Sequence, residues 1–190
     1  MEAAETDPVA LIVQKVRASA GRHGIRIVGI DGPSGSGKST LATRVADALD
    51  APLIHIDDFV SWPDFAGWWP RFAAQVLQPL LDGHAAHWRV RDWEGDEFGT
   101  SLGEWRTQQW APVIVIEGVT CCRAAASGAL ALAVWVDAPA TIRLERGIAR
   151  DGESHRQLWE RWMHEEDEFF EADSTRHRAD VIVSGERPLT

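Results

Sequence analysis

The residues best equipped for chemistry are Gly32-Pro33-Ser34-Gly35-Ser36-Gly37-Lys38-Ser39-Thr40. Glycines at 32, 35 and 37 free the backbone to turn several N–H groups toward one anion. A helix beginning near Lys38 would aim its unpaired N–H groups and positive dipole end at the same point. Lys38 then reaches the β and γ phosphates, and the Ser39 hydroxyl joins a Mg²⁺ shell. Every fixed position of the pattern GxxxxGK[ST] is matched, an apolar strand precedes it and a helical pattern follows. The stretch therefore predicts a nucleoside triphosphate site formed by Gly32, Ser34, Gly35, Ser36, Gly37, Lys38, Ser39 and Thr40.

Carboxylates recur where apolar runs end. Leu53-Ile54-His55-Ile56 leads into Asp57-Asp58, and Val113-Ile114-Val115-Ile116 into Glu117. Ligands of an open α/β sheet bind at the C-terminal ends of its strands, so both positions are candidate site positions. An acid ending a strand beside the phosphate loop can hold Mg²⁺, which makes Glu117 with Ser39 the predicted metal pair and Asp57 a further candidate. Arg143, Arg146 and Arg150 follow at helical spacing and could neutralise a transferring phosphoryl group. Seven of the ten tryptophans lie between 61 and 110. Most should fill core, while one or two could wall a pocket for a ring-bearing molecule, Trp93 first among them.

To position these groups, helices are expected over 8–20, from Lys38, over 72–81, from Pro139 and over 158–170, with strands at 25–30, 53–56, 112–116, 131–136 and 180–183. Their alternation predicts an α/β fold, a P-loop NTPase three-layer sandwich: a mostly parallel five-stranded sheet with helices on both faces. All 190 residues fit one domain, with 61–110 a Trp-rich insertion of loops around the 72–81 helix; a small lid over about 146–160, and the place of the insertion on the acceptor side, are what a resemblance carried by the motifs implies. The helix over 158–170 reads as a solvated acidic face, and His55, His84, His87, His155 and His177 as structural. A net charge of -10 argues against nucleic acid and anionic membranes as partners. The acidic start Met1-Glu2-Ala3-Ala4-Glu5 does not resemble a signal peptide, and no apolar run is long enough to span a bilayer, so a cytoplasmic protein is expected. Cys121 and Cys122 should be reduced and buried.

Together, GxSGSGKS/T, the strand ending in D-D-F, V-I-V-I-E-G, R-L-x-R-x-I-x-R-D and A-D-V-I-V resemble the uridine kinase-like group of P-loop kinases. The resemblance covers about 25–60, 112–151 and 179–185. It implies transfer of the γ-phosphoryl group of ATP, with Mg²⁺, to a hydroxyl of a nucleoside or nucleoside-like metabolite. On that reading Asp57 is the general base, Lys38 and Arg150 are catalytic, and Arg146 and Arg150 belong to a lid that closes over ATP. Asp58, Arg71, Arg91, Asp92 and Trp93 would stand beside the acceptor. The chain departs from the pattern in the lid, where Gly147 replaces a second arginine, and Gly152-Glu153-Ser154-His155-Arg156 replaces R-G-R, leaving Arg156 as the substitute. The expected partner is a small-molecule phosphate acceptor, with a homodimer left open. Two alternatives stand beside this reading: a nucleoside monophosphate kinase, for which Arg71, Arg89 and Arg91 would bind the acceptor phosphate, and an acceptor-independent ATPase or nucleotide-binding regulator. A GTPase is disfavoured by the absence of N-K-x-D.

Overall fold

The computed structural model describes residues 7–187. The Met1–Glu5 stretch read for a leader lies outside them.

Five strands form a parallel sheet: β1 (Arg26–Asp31), β2 (Leu53–His55), β5 (Val113–Glu117), β6 (Leu130–Asp137) and β7 (Val181–Ser184), in the order β2-β5-β1-β6-β7. A separate antiparallel pair consists of β3 (Ala86–Arg91) and β4 (Leu102–Gln108). The central strands are apolar throughout because both faces are covered. Val28, Ile30 and Val115 face α1 (Pro8–Ala18) and α2 (Lys38–Leu49). Ile27, Ile114 and Ile116 face a second core built from the chain after β2 and from α6 (Arg156–Asp173). In register, Ile30 lies opposite Glu117 and His55 opposite Glu117, so the ends of β1, β5 and β2 meet at one sheet edge.

Where a helix was expected over 72–81, a longer helical rod runs through α3 (Trp69–Phe72), a π-helical turn (Ala73–Leu77) and α4 (Gln78–Leu81). The rest of 61–110 holds a feature that a loop reading missed. β3 and β4 form a hairpin, Trp88 opposite Arg106, and it is fixed from outside by Asp58. The buried Asp58 carboxylate accepts from Trp88 Nε1 at 2.8 Å and from Arg106 Nη1 at 2.7 Å.

α5 (Ala140–Asp151) packs against α6, and Gly147 permits the contact, since a Cβ there would enter the Trp159 ring. The α6 region expected to be solvated instead buries Trp159, Trp162, Met163 and Glu166 along one side. Cys121 and Cys122 are buried free thiols with sulfurs 3.8 Å apart. No helix among the described residues is long and apolar enough to cross a membrane.

Candidate active site

A cleft of about 570 Å³ opens at the edge where β1, β2 and β5 end. Ser34, Gly35 and the start of α2, from Gly37 to Thr40, form its floor on one side. The loop holds its shape through neighbours that short-range patterning does not reveal. At Gly35, with φ of 78°, a Cβ would sit 2.6 Å from the Arg143 carbonyl oxygen, so glycine alone lets the loop rest on α5. Ser34 N donates to Glu166 Oε1 at 2.8 Å, and Trp162 Nε1 donates to the same oxygen at 2.8 Å. Arg143 Nη1 donates to Glu166 Oε2 at 3.1 Å. Glu166 is fully buried, and burial raises its pKa against the Ser34 hydrogen bonds and the charges of Lys38 and Arg143. At the other end of the loop, Asp31 accepts backbone N–H groups of Gly32, Thr120 and Cys122 at 2.7–2.8 Å, joining β1 to the turn after β5. Burial pushes this carboxyl up to about 7 despite those three donors.

Glu117 is 2% exposed, and its two oxygens each accept from Ser39 Oγ at 3.1 Å. His55 Nδ1 lies 2.8 Å from Glu117 Oε1. Burial pushes Glu117 up, but the His55 hydrogen bond, Lys38 and Ser39 outweigh it and hold the carboxyl below its usual range. The Glu117 hydrogen bond correspondingly raises His55. Two hard oxygen donors from separate elements, converging beside the phosphate loop, suit Mg²⁺. His55, set aside by its spacing, is thus the partner that orients the carboxylate; the signal for it was its place in register with Glu117.

Asp57 faces the cleft from the turn after β2. Its carboxyl is open to the cleft and ringed by protein elsewhere, so desolvation and the Glu117 charge raise its pKa, opposed by Lys38, Arg150 and His55. Trp93 Nε1 donates to the Asp57 carbonyl at 2.9 Å and locks this turn to the hairpin. Trp62, Trp93, Trp159 and Trp162 line the cleft, the first two partly exposed and the last two buried in its wall, with Trp62 edge-to-face on both Trp93 and Trp162 at 6.4 and 5.2 Å. Of these, Trp159 and Trp162 come from the helix that the sequence reading gave to solvent.

The arginines divide. Arg150 lines the cleft, held by Asp151 at 2.7 Å. Arg146 also reaches the cleft, but its guanidinium donates to the carbonyls of Gly35, Gly185 and Glu186, bracing the loop. Arg156 pairs with Glu153 at 2.5 Å and is not among the cleft residues; His155 is. Four expected acceptor-side residues are engaged elsewhere. Asp58 ties down the hairpin, Arg71 donates to the carbonyls of Arg89, Asp58 and Phe59, Arg91 caps five carbonyls of the hairpin loop, and Asp92 accepts from Gly95 N. None of the four lines the cleft, whereas Trp93 does.

No family model matches the chain, and no curated protein matches it. Among solved structures it is similar to one described as a "Possible Uridine Kinase from Bacillus stearothermophilus", with a TM-score of 0.64 at 23% identity over 92% of this chain and 96% of that one. It is also similar to a "putative fructose transport system kinase from Silicibacter sp. TM1040", with a TM-score of 0.69 at 17% identity over 92% of this chain and 98% of that one. At such identities the likeness establishes the fold: an α/β P-loop kinase fold, with a parallel five-stranded sheet and helices on both faces. The chain shares this fold with the structure described as a possible uridine kinase.

Proposed function

We propose that this protein is an ATP-dependent kinase that moves the γ-phosphoryl group to a hydroxyl of a small ring-bearing metabolite, a nucleoside or a nucleoside-like compound. The observation that carries the reading is that Asp57, Lys38, Ser39, Glu117 and Arg150 share one cleft with four tryptophans. The phosphate loop cradles the triphosphate with backbone N–H groups, and Lys38 reaches its terminal phosphates. Ser39 and Glu117 would hold Mg²⁺, which supplies charge neutralisation on the phosphate oxygens when bound. Asp57 accepts the proton of the acceptor hydroxyl as that oxygen bonds to the γ-phosphorus and the bond to the β–γ bridging oxygen breaks. Its raised pKa makes it a stronger base than an ordinary aspartate. Arg150 faces the same space and offsets the charge that spreads over the transferring group.

The acceptor wall favours a ring without a phosphate. The indole N–H of Trp93 is bound to the Asp57 carbonyl, leaving the faces of the partly buried Trp93 and Trp62 for stacking, while the buried Trp159 and Trp162, with their N–H groups on Asp151 and Glu166, back the wall. Arg71, Arg89 and Arg91, the cations that a monophosphate acceptor would need, are directed to backbone carbonyls. The test is ADP release from Mg-ATP across nucleosides, vitamins, sugars and nucleotides, with Asp57→Ala as control. Release that depends on an unphosphorylated ring compound and on Asp57 is expected. Release indifferent to every acceptor and to Asp57 would identify an ATPase instead.

A further inference from the structure

Two segments from opposite sides of the cleft meet at its mouth. One is the loop between β3 and β4, residues 92–101, which also carries Trp93. The other is the turn Glu153–His155, between α5 and α6. His155 Nε2 and Glu97 Oε1 are 2.8 Å apart, and because a carboxylate can only accept, the imidazole is the donor. Phe98 lies over the same imidazole, with centroids 6.1 Å apart and planes 21° from parallel. Phe98 is 57% exposed, so the core does not hold it there. Glu97 and His155 both line the cleft.

Each side of this junction is tied to neighbouring elements by side-chain hydrogen bonds. In the hairpin loop, Arg91 gathers the carbonyls of Asp92, Asp96, Glu97, Gly99 and Ser101. On the lid side, Asp151 is fixed by Arg150 and by Trp159 Nε1 at 2.9 Å. A contact between two mounted segments ties their motions together, whereas one between two loose loops would simply slip.

We propose that Glu97, Phe98 and His155 form a latch that joins the acceptor-side hairpin to the lid turn, so that both open together to admit the acceptor and close together to keep water from the transferring phosphoryl group. The shielding half of this inference rests on the kinase reading; the joining half does not. His155 is aimed at the hairpin carboxylate, and it holds Phe98 on its face.

The test is hydrogen exchange on the full chain without nucleotide, comparing wild type with Glu97→Ala, His155→Ala and the double variant. Either single change is expected to speed exchange at least about fivefold in both 93–101 and 152–156, the effect of losing one hydrogen bond, and the double variant to go no further than His155→Ala, which already loses both the hydrogen bond and the Phe98 contact. His155→Gln, which can still donate, should restore part of the protection, and unchanged exchange in β1 and β5 certifies the fold. Variants that loosen only their own segment, or whose effects add, would overturn the latch. For the shielding half, hydrolysis of Mg-ATP without acceptor should rise several-fold in both single variants; unchanged hydrolysis would overturn that half. A wild-type protein that fails to bind Mg-ATP by calorimetry would remove the kinase reading while leaving the exchange result to decide the latch.

Discussion

At the residue scale the proposed chemistry rests on Asp57, with Glu166 bracing the phosphate loop, and the two differ in how they could be recognised. Asp57 was legible because an acid ending a buried strand stands out, and the structure gives that acid a cleft. Glu166 was not, because an acidic helix usually faces water; the signal was its spacing from Trp159, Trp162 and Met163, which puts all four on one buried side. Replacing Asp57 with Asn should lower turnover by orders of magnitude while leaving Mg-ATP binding within a few-fold of wild type, as calorimetry would show. Because its pKa is raised, the acid limb of the turnover profile should lie above the ordinary aspartate range, with activity lost as pH falls through it. Glu166→Ala frees the Ser34 N–H and leaves Arg143 without this partner. About tenfold weaker ATP binding is expected, with the acceptor KM unchanged; weaker folding with unaltered ATP affinity would reduce Glu166 to a structural residue.

Among the elements, the parallel sheet and its helices could be read from apolar runs and glycine punctuation, but the β3–β4 hairpin could not. Its strands alternate through Arg89, Arg91, Glu104 and Arg106, and the pattern AHWRVR becomes a strand only once Trp88 is buried and Asp58 receives Arg106. Asp58→Ala should therefore strand the Trp88 N–H and destabilise the protein by about 1–3 kcal/mol, measured by urea unfolding. The α5–α6 contact explains the departure at 147. Glycine within a helix ordinarily costs about 0.5–1 kcal/mol against alanine. Here a methyl group would enter the fully buried Trp159 ring, and overpacking of about 1–3 kcal/mol outweighs that gain. Gly147→Ala should lower the midpoint of thermal unfolding; a raised midpoint would contradict this packing.

For the whole molecule, the phosphate loop links both cores: Asp31 ties its start to the turn after β5, and Glu166 ties Ser34 to α6. Asp31 also makes stability depend on pH. Its folded pKa, about 7, lies above the unfolded value near 3.8, so the folded state holds the extra proton between those limits. This group's contribution is therefore greatest below about pH 4, declines as pH rises to about 7 and is level beyond. Subtracting the unfolding free energies of Asp31→Asn from wild type across that window should give a falling curve, and a flat one would place the pKa elsewhere. The cleft itself assembles pieces from the β1, β2 and β5 ends, the hairpin, α5 and α6, which is why short-range patterning indicated the phosphate-loop wall of the cleft clearly and the hairpin wall only through Trp93. The most direct measurement follows the phosphoryl group: Mg-ATP labelled with ¹⁸O in its γ-phosphate is incubated with the protein and a ring-bearing alcohol, and the products are weighed by mass spectrometry. Label in the phosphorylated alcohol, absent with Asp57→Asn, is the predicted result; label found solely in inorganic phosphate would contradict the account.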